Sequence, residues 1–334
     1  MKKLLWAVLG ILGLGAIVYF LGPKQRFDSV TSAIPNLDVS IDGLDSYIAD
    51  KEAAIADIKP DNEARIIWKD STHQKTPYSV VYLHGFSASQ EEGDPVHTDF
   101  AQRYGCNLFL PRLYDHGRAD SNSFQGLTPE KLMASAREAI AIGKLLGDKV
   151  IVMSCSTGST LSAYLAAENP VDIHSQIMYS PNIDIYDPLA QMLTMPWGYQ
   201  LARWSFKGDY NRIEYPPLAQ KYWNEIYHID GTIAVKALIN QTMKEEVFSK
   251  IEQPLYLGYY YENEEKQDKV VSVARMHDFY KQVSTADEMK EMESFPAAGR
   301  HVIASHVMSP AVDEVRKETY AWAEKVLGLT PVNP

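Results

Sequence analysis

The chain has 334 residues, 46% of them apolar and 22% charged, which excludes a disordered or collagen-like chain and leaves ample length for a sizeable core. Acidic residues outnumber basic ones by 43 to 32, a formal net charge of -11 that excludes nucleic acid as a partner, because phosphate binding needs concentrated Lys and Arg. Cys106 and Cys155 are the only cysteines, too few for a disulfide framework or a cysteine-rich zinc site.

Met1-Lys2-Lys3 precedes an apolar run without charge from Leu4 to Gly22. At a helical rise of about 1.5 Å per residue this run reaches roughly 28 Å, enough for the hydrocarbon core of a bilayer. It ends in Val18-Tyr19-Phe20-Leu21-Gly22-Pro23, a poor cleavage site, and no cysteine stands near it for a lipid anchor. Residues 1–27 therefore read as an uncleaved, single-pass signal-anchor; the alternative is a long, cleaved secretory signal. Lys2 and Lys3 on one side nearly balance Lys24 and Arg26 on the other. The slight bias favours a cytoplasmic N-terminus, and the globular part is expected outside the cytoplasm.

Residues 28–63 read as a stem and helical lead-in, with a helix suggested by Leu44-Asp45-Ser46-Tyr47-Ile48 and Ala53-Ala54-Ile55. Strands rich in β-branched and aromatic residues are expected at 64–68, 78–83 and 106–110. Thr128 as N-cap and Pro129 at the first helical position open a helix. Its apolar spacing runs through Leu132, Met133, Ala136, Ile140 and Leu145 to a stop at Gly147. A buried strand follows at 149–153, a helix at about 160–167, and strands at 175–179, 254–260 and 289–295, with a last helix at about 311–327. This alternation predicts an α/β fold, a mostly parallel sheet with helices on both faces, formed by 64–181 and 251–334. Between these halves, residues 182–250 show no strand pattern and carry Trp197, Trp204, Trp223, Pro196, Pro216 and Pro217. A long insertion of this kind reads as a helical cap, or lid; the plainer reading is a helical layer that covers the sheet.

The strand ending at Met153 leads into Ser154-Cys155-Ser156-Thr157-Gly158 and then a helix, the context of a nucleophile on a tight turn. Such a turn brings the residues two before and two after the apex together, so both must be small, and Ser154 and Gly158 are. Ser156 is the candidate nucleophile. Cys155, one position earlier, is expected to pack into the core as an unreactive thiol. Acyl transfer also needs two backbone N–H groups aimed at the developing oxyanion. Thr157 supplies one, and Phe86, in His84-Gly85-Phe86 after an earlier strand, supplies the other, with His84 expected to hold that loop.

On His84-Gly85-Phe86, on Ser154 to Gly158, and on an acid and a histidine later in the chain, the sequence resembles the α/β-hydrolase superfamily over about residues 64–327. It looks most like lid-bearing serine esterases and monoacylglycerol-lipase-like members. The resemblance implies an eight-stranded sheet, a cap after the sixth strand, no metal and no cofactor. Chain order in this fold is Ser, acid, His. Asp268, before Val270-Val271, is the candidate acid, with Glu262 as runner-up. His301, after the small-residue stretch Pro296-Ala297-Ala298-Gly299, is the candidate base, ahead of His306. His277 is expected at the surface. Asp94, His97, Asp99, Asp115 and His116 match no strong zinc spacing, and the loop at Asp115-His116-Gly117 resembles one that lines the substrate entrance.

These expectations converge on a carboxylesterase- or lipase-like serine hydrolase acting through Ser156, His301 and Asp268. The cap's aromatic residues favour a small-molecule ester or lipid substrate close to a membrane. A serine peptidase or amidase with the same residues is one alternative, and a non-catalytic envelope binding protein is another.

Overall fold

The computed structural model describes residues 2–332. At its centre lies the short apolar run that reads as a buried strand. Val150, Ile151, Val152 and Met153 are buried on both faces, as a central strand of a parallel sheet requires. In chain order the elements are α1 (Lys2–Phe20), α2 (Leu44–Ala53), β1 (Arg65–Ile67), β2 (Thr76–Leu83), α3 (Val96–Tyr104), β3 (Asn107–Leu110), α4 (Pro129–Leu146), β4 (Gly147–Cys155), α5 (Thr157–Glu168) and β5 (Ser175–Tyr179). There follow α6 (Gly198–Ser205), β6 (Tyr210–Arg212), β7 (Ile226–His228), α7 (Asp230–Thr242), α8 (Glu245–Phe248), β8 (Leu255–Tyr259), α9 (Val273–Gln282), β9 (Lys290–Ser294) and α10 (Val312–Val326).

Seven strands form one sheet in the order β1-β3-β2-β4-β5-β8-β9. All neighbours run parallel except the edge strand β1, which is antiparallel to β3. The period-two alternation of strand side chains sorts the core into two layers. Val81, Leu83, Val150 and Val152 face α2, α4, α5, α7 and α9. Val80, Tyr82, Ile151 and Met153 face α3 and α10. Thr128 caps α4 as expected, its Oγ1 accepting from the Lys131 N–H at 3.2 Å.

The sheet differs from the expected eight strands in its first member. Residues 28–63, with Pro35, Pro60 and many aspartates, run as an extended stem and α2 and add no strand. The excursion between β5 and β8 also differs from the expected wholly helical cap. It contains an antiparallel pair, β6 with β7, in the register Tyr210↔His228. Its C-terminal part covers the sheet: Ala234, Val235, Leu238, Ile239, Val247 and Phe248 of α7 and α8 join the main core. Lys236 of α7 is buried against Asp184, just after β5, at 2.5 Å. We propose that the cap proper is 182–229 and that the helical layer accounts for the rest.

α1 is long and apolar enough to cross a membrane and is not buried by the rest of the chain. Its end meets the excursion at Trp197, whose backbone N–H donates to Pro23 O at 2.8 Å and whose Nε1 donates to Val18 O at 3.1 Å.

Candidate active site

Ser156 stands between β4 and α5 with φ 50° and ψ -119°, a conformation an L-residue holds only under constraint, at a cost of about 1–3 kcal/mol. The constraint is visible on both sides. The Ser156 N–H donates to Tyr179 O at 3.1 Å, and the Ser156 carbonyl accepts from the Asn182 N–H at 3.1 Å. Gly158 makes the turn sterically possible, because a Cβ there would lie 1.9 Å from Leu83 O. Ser154 is buried and its hydroxyl meets that of Ser159 at 2.9 Å. The Ser156 side chain keeps slight exposure, 6%, and its hydroxyl makes no hydrogen bond among the described residues. Cys155 is fully buried, and burial pushes its thiol well above the ordinary range.

Asp268 and His301, far apart in sequence, meet at the C-terminal edge of the sheet. Asp268 is buried; one carboxylate oxygen accepts from the Val270 and Val271 N–H groups at 2.8 and 3.1 Å. The other accepts from His301 Nδ1 at 2.6 Å. With Nδ1 carrying that proton, Nε2 is the free ring nitrogen of the neutral imidazole. Burial disfavours charge on His301, but the nearby carboxylates of Asp268 and Glu92 outweigh it and raise the imidazole above its ordinary value of 6.5. Ser156 and His301 flank the same dipeptide: Ser156 N–H binds Tyr179 O, and the Ser180 hydroxyl donates to His301 O at 2.6 Å. A direct hydrogen bond between the Ser156 hydroxyl and His301 is not made. Of the runners-up, Glu262 lies in an exposed turn on Lys266, and exposed His306 sits on Asp94. His277 is half-buried rather than at the surface, where Tyr259 Oη meets its Nε2 at 3.0 Å.

No family model matches the chain, and no curated protein matches it by sequence. Solved structures do. A lipolytic enzyme of the metagenome-derived LipS and LipT pair superposes with a TM-score of 0.63 and 15% identity, covering 80% of this chain and 99% of its own. A soluble variant of the Saccharomyces cerevisiae monoglyceride lipase, bound to a substrate analog, gives 0.57 and 15% over 79% of this chain and 91% of its own. The Paleococcus ferrophilus monoacylglycerol lipase gives 0.55 and 13% over 78% and 96%. The chain has the α/β-hydrolase fold.

In an α/β-hydrolase fold the loop after β2 lies beside the turn at Ser156, and here its backbone is held from two directions. His84 accepts the Leu113 N–H on Nε2 at 3.1 Å, so its Nδ1 carries the proton and donates to Gly85 O at 2.9 Å. Neither the Phe86 nor the Thr157 N–H donates to any described residue. Phe86 packs edge-on against Tyr227 and His116 and beside Phe124, so cap and loop share one aromatic wall. Asp115 holds that wall by accepting from the Phe124 N–H at 2.5 Å and by pairing with Arg118.

One residue of the site is absent from the sequence reading. Glu92, 2% exposed, accepts the Gly85 N–H at 2.5 Å. A Cβ on Gly85 would lie 2.7 Å from a Glu92 carboxylate oxygen and 3.0 Å from Ser156 Cβ, so the carboxylate and the serine both crowd the space beside one glycine. Burial pushes the Glu92 carboxyl up to about 7, against the opposing pull of the Gly85 N–H and His301. Nothing in Gln90-Glu91-Glu92 as a sequence marks Glu92 as buried; the buried turn at Gln90–Gly93 is what carries it inward. Nearby, Glu91, Asp94 and His306 offer three ligand atoms within 4.8 Å of one another, a set that could hold a cation. A separate cleft of about 380 Å³ between α2 and α4, lined by Tyr47, Ile55, Phe109 and Arg112, contains neither Ser156 nor His301.

Proposed function

We propose that this chain is a serine hydrolase that cleaves carboxylic esters. The observation that carries the reading is the Asp268–His301 hydrogen bond beside a serine held on a strained turn. Serine is a weak nucleophile until a base takes its proton, and the base must be held in one tautomer. In the proposed reaction Ser156 Oγ attacks the acyl carbon as His301 Nε2 takes its proton. Asp268 keeps Nδ1 protonated and stabilises the imidazolium. The Phe86 and Thr157 N–H groups, which have no other partner among the described residues, receive the oxyanion. His301 then protonates the leaving alcohol, and water, activated by the same base, releases the acid from the acyl-enzyme. The contact between His301 and Ser156 forms on substrate binding, as catalytic hydrogen bonds often tighten only in the complex.

The lipolytic activities of the neighbours support an ester or lipid substrate, and so does an apolar surface next to α1. Leu201 and Trp204 fall on one face of α6 by their spacing, with Trp204 81% exposed, and exposed Trp197 stands at its start. Leu189 and Met195 are exposed just before them, and Trp197 touches the end of α1. In this reading α1 anchors the chain, the body lies outside the cytoplasm, and the cap rests on the bilayer surface.

A fluorophosphonate probe tests the chemistry. The wild-type protein is expected to label on Ser156 and the Ser156→Ala variant to stay unlabelled while folded. Short p-nitrophenyl esters are expected to turn over and aminoacyl amides to be inert. Folded wild-type protein without label on Ser156 would overturn the assignment.

A further inference from the structure

The site holds a second buried carboxylate for which the proposed mechanism has no use. We infer that Glu92 is a positioning residue of the active site, fixing the oxyanion loop through the Gly85 N–H and acting electrostatically on His301. This inference rests on the serine-hydrolase reading above.

The positional part follows from peptide geometry. Gly85 belongs to two peptide units. The N–H of the first is bound by Glu92 at 2.5 Å, and the carbonyl of the second is bound by His84 Nδ1 at 2.9 Å. In a planar trans peptide the N–H points opposite to the C=O. With the Gly85 carbonyl turned to His84, the Phe86 N–H of the same peptide is turned the other way, toward the space it needs to reach an oxyanion. Glycine tends to let a peptide plane flip, because it lacks Cβ restraint. Two hydrogen bonds, one on each side, remove that freedom. A side chain at position 85 has no room, since its Cβ would meet the Glu92 carboxylate and Ser156.

The electrostatic part follows from what faces the carboxylate. From β2 comes Tyr82, whose hydroxyl completes no hydrogen bond; from β4, Cys155; from the cap, Tyr215; and from the loop after β9, His301. Of these only the imidazole becomes a cation near neutral pH. Asp268 binds Nδ1 of the same ring. An ionised Glu92 therefore stabilises the imidazolium that forms as Ser156 loses its proton.

Two variants separate the parts. Glu92→Gln can still accept the Gly85 N–H but carries no charge, so the acidic limb of the kcat/KM profile is expected to move to lower pH by about one unit. Glu92→Asp keeps the charge but falls one methylene short of Gly85. It is expected to keep the limb in place while kcat falls about 10-fold or more and KM changes little. A purely structural glutamate would move neither the limb in the first variant nor kcat alone in the second. If one variant fails to fold, the other decides. Wild-type profiles and kcat in the variants that fold would overturn the role of Glu92 while wild-type protein still labels on Ser156. Absence of that label in the wild type would instead strike the underlying reading.

Discussion

Asp268→Asn is the sharpest test of how the imidazole is held. Asp268 presents two oxygens to different partners: one to the Val270 and Val271 N–H groups, the other to His301 Nδ1. Asparagine has one oxygen. Facing two donors, that oxygen is held where it is, and the amide NH2 is left against His301. The ring must then accept on Nδ1 and carry its proton on Nε2, the atom that should deprotonate Ser156. The variant therefore keeps its fold and loses its base. When a triad carboxylate is neutralised in this way the loss is about 10⁴ in kcat, equivalent to about 5.5 kcal/mol of transition-state stabilisation. Steady-state hydrolysis of a p-nitrophenyl ester measures it, and the rate of fluorophosphonate labelling is expected to fall in parallel. The thermal midpoint should stay near wild type, because the backbone contacts of the oxygen survive. A loss of less than about tenfold, with the fold intact, would refute the tautomer argument.

Other perturbations reach different parts of the chain. Gly158→Ala puts a methyl group 1.9 Å from Leu83 O and 2.7 Å from His84 O, both backbone atoms that cannot swing aside. A loss of about 3 kcal/mol or more in urea unfolding is expected, and an unchanged midpoint would show that the turn has slack. Trp204→Glu is expected to lower hydrolysis of a bilayer-embedded monoacylglycerol about tenfold, roughly the burial energy of an apolar side chain, and to leave a soluble short-chain ester unaffected. Equal effects on both substrates would remove the bilayer from the explanation. Glu92 also predicts a stability profile: its folded carboxyl titrates at about 7 against an ordinary 4.5. The folded state thus holds the extra proton between those values, and its stability falls as pH rises through them, by up to about 3 kcal/mol. Glu92→Gln lacks that term, so its stability relative to wild type, read from urea curves at pH 5 and pH 8, should be greater at pH 8.

Much of the sheet was legible because its strands are strongly patterned. The apolar run at Val150–Met153 and the β-branched and aromatic run at 78–83 both read as strands, and the small residues around Ser156 mark the turn. The Asp268–His301 contact was legible from the chain order that the resemblance to the α/β-hydrolases implies; the parallel sheet brings the loops that carry both residues to one end. What escaped is the part set by contacts distant in sequence. The strands β6 and β7 have three residues each, too short to show a period, and pair across a loop holding Pro216 and Pro217. Lysine is rarely buried without a partner, and nothing local in the sequence marks Lys236 of α7, which is buried against Asp184. The missing first strand belongs to the same class: a resemblance to a fold supplies a strand count, and the Pro- and Asp-rich stem does not form it.

A second carboxylate beside the oxyanion loop carries an electrostatic conflict. Ionised, Glu92 favours the imidazolium on His301 but repels the negative oxygen that Phe86 and Thr157 are proposed to bind. Protonated, it spares the oxyanion and loses its hold on the imidazolium. The Gly85 N–H bond biases the balance, since it strengthens when the carboxylate is charged. Burial biases it the other way. These opposing pulls leave the carboxyl titrating at about 7, so both forms are present at neutral pH. The thiol of Cys155 and hydroxyl of Tyr82 beside the carboxylate stay neutral, burial having pushed both well above their ordinary ranges. Glu92 and His301 act on each other through space, the charge on one shifting the titration of the other, which couples the two and makes the pH profile, rather than the rate at one pH, the place where Glu92 shows itself.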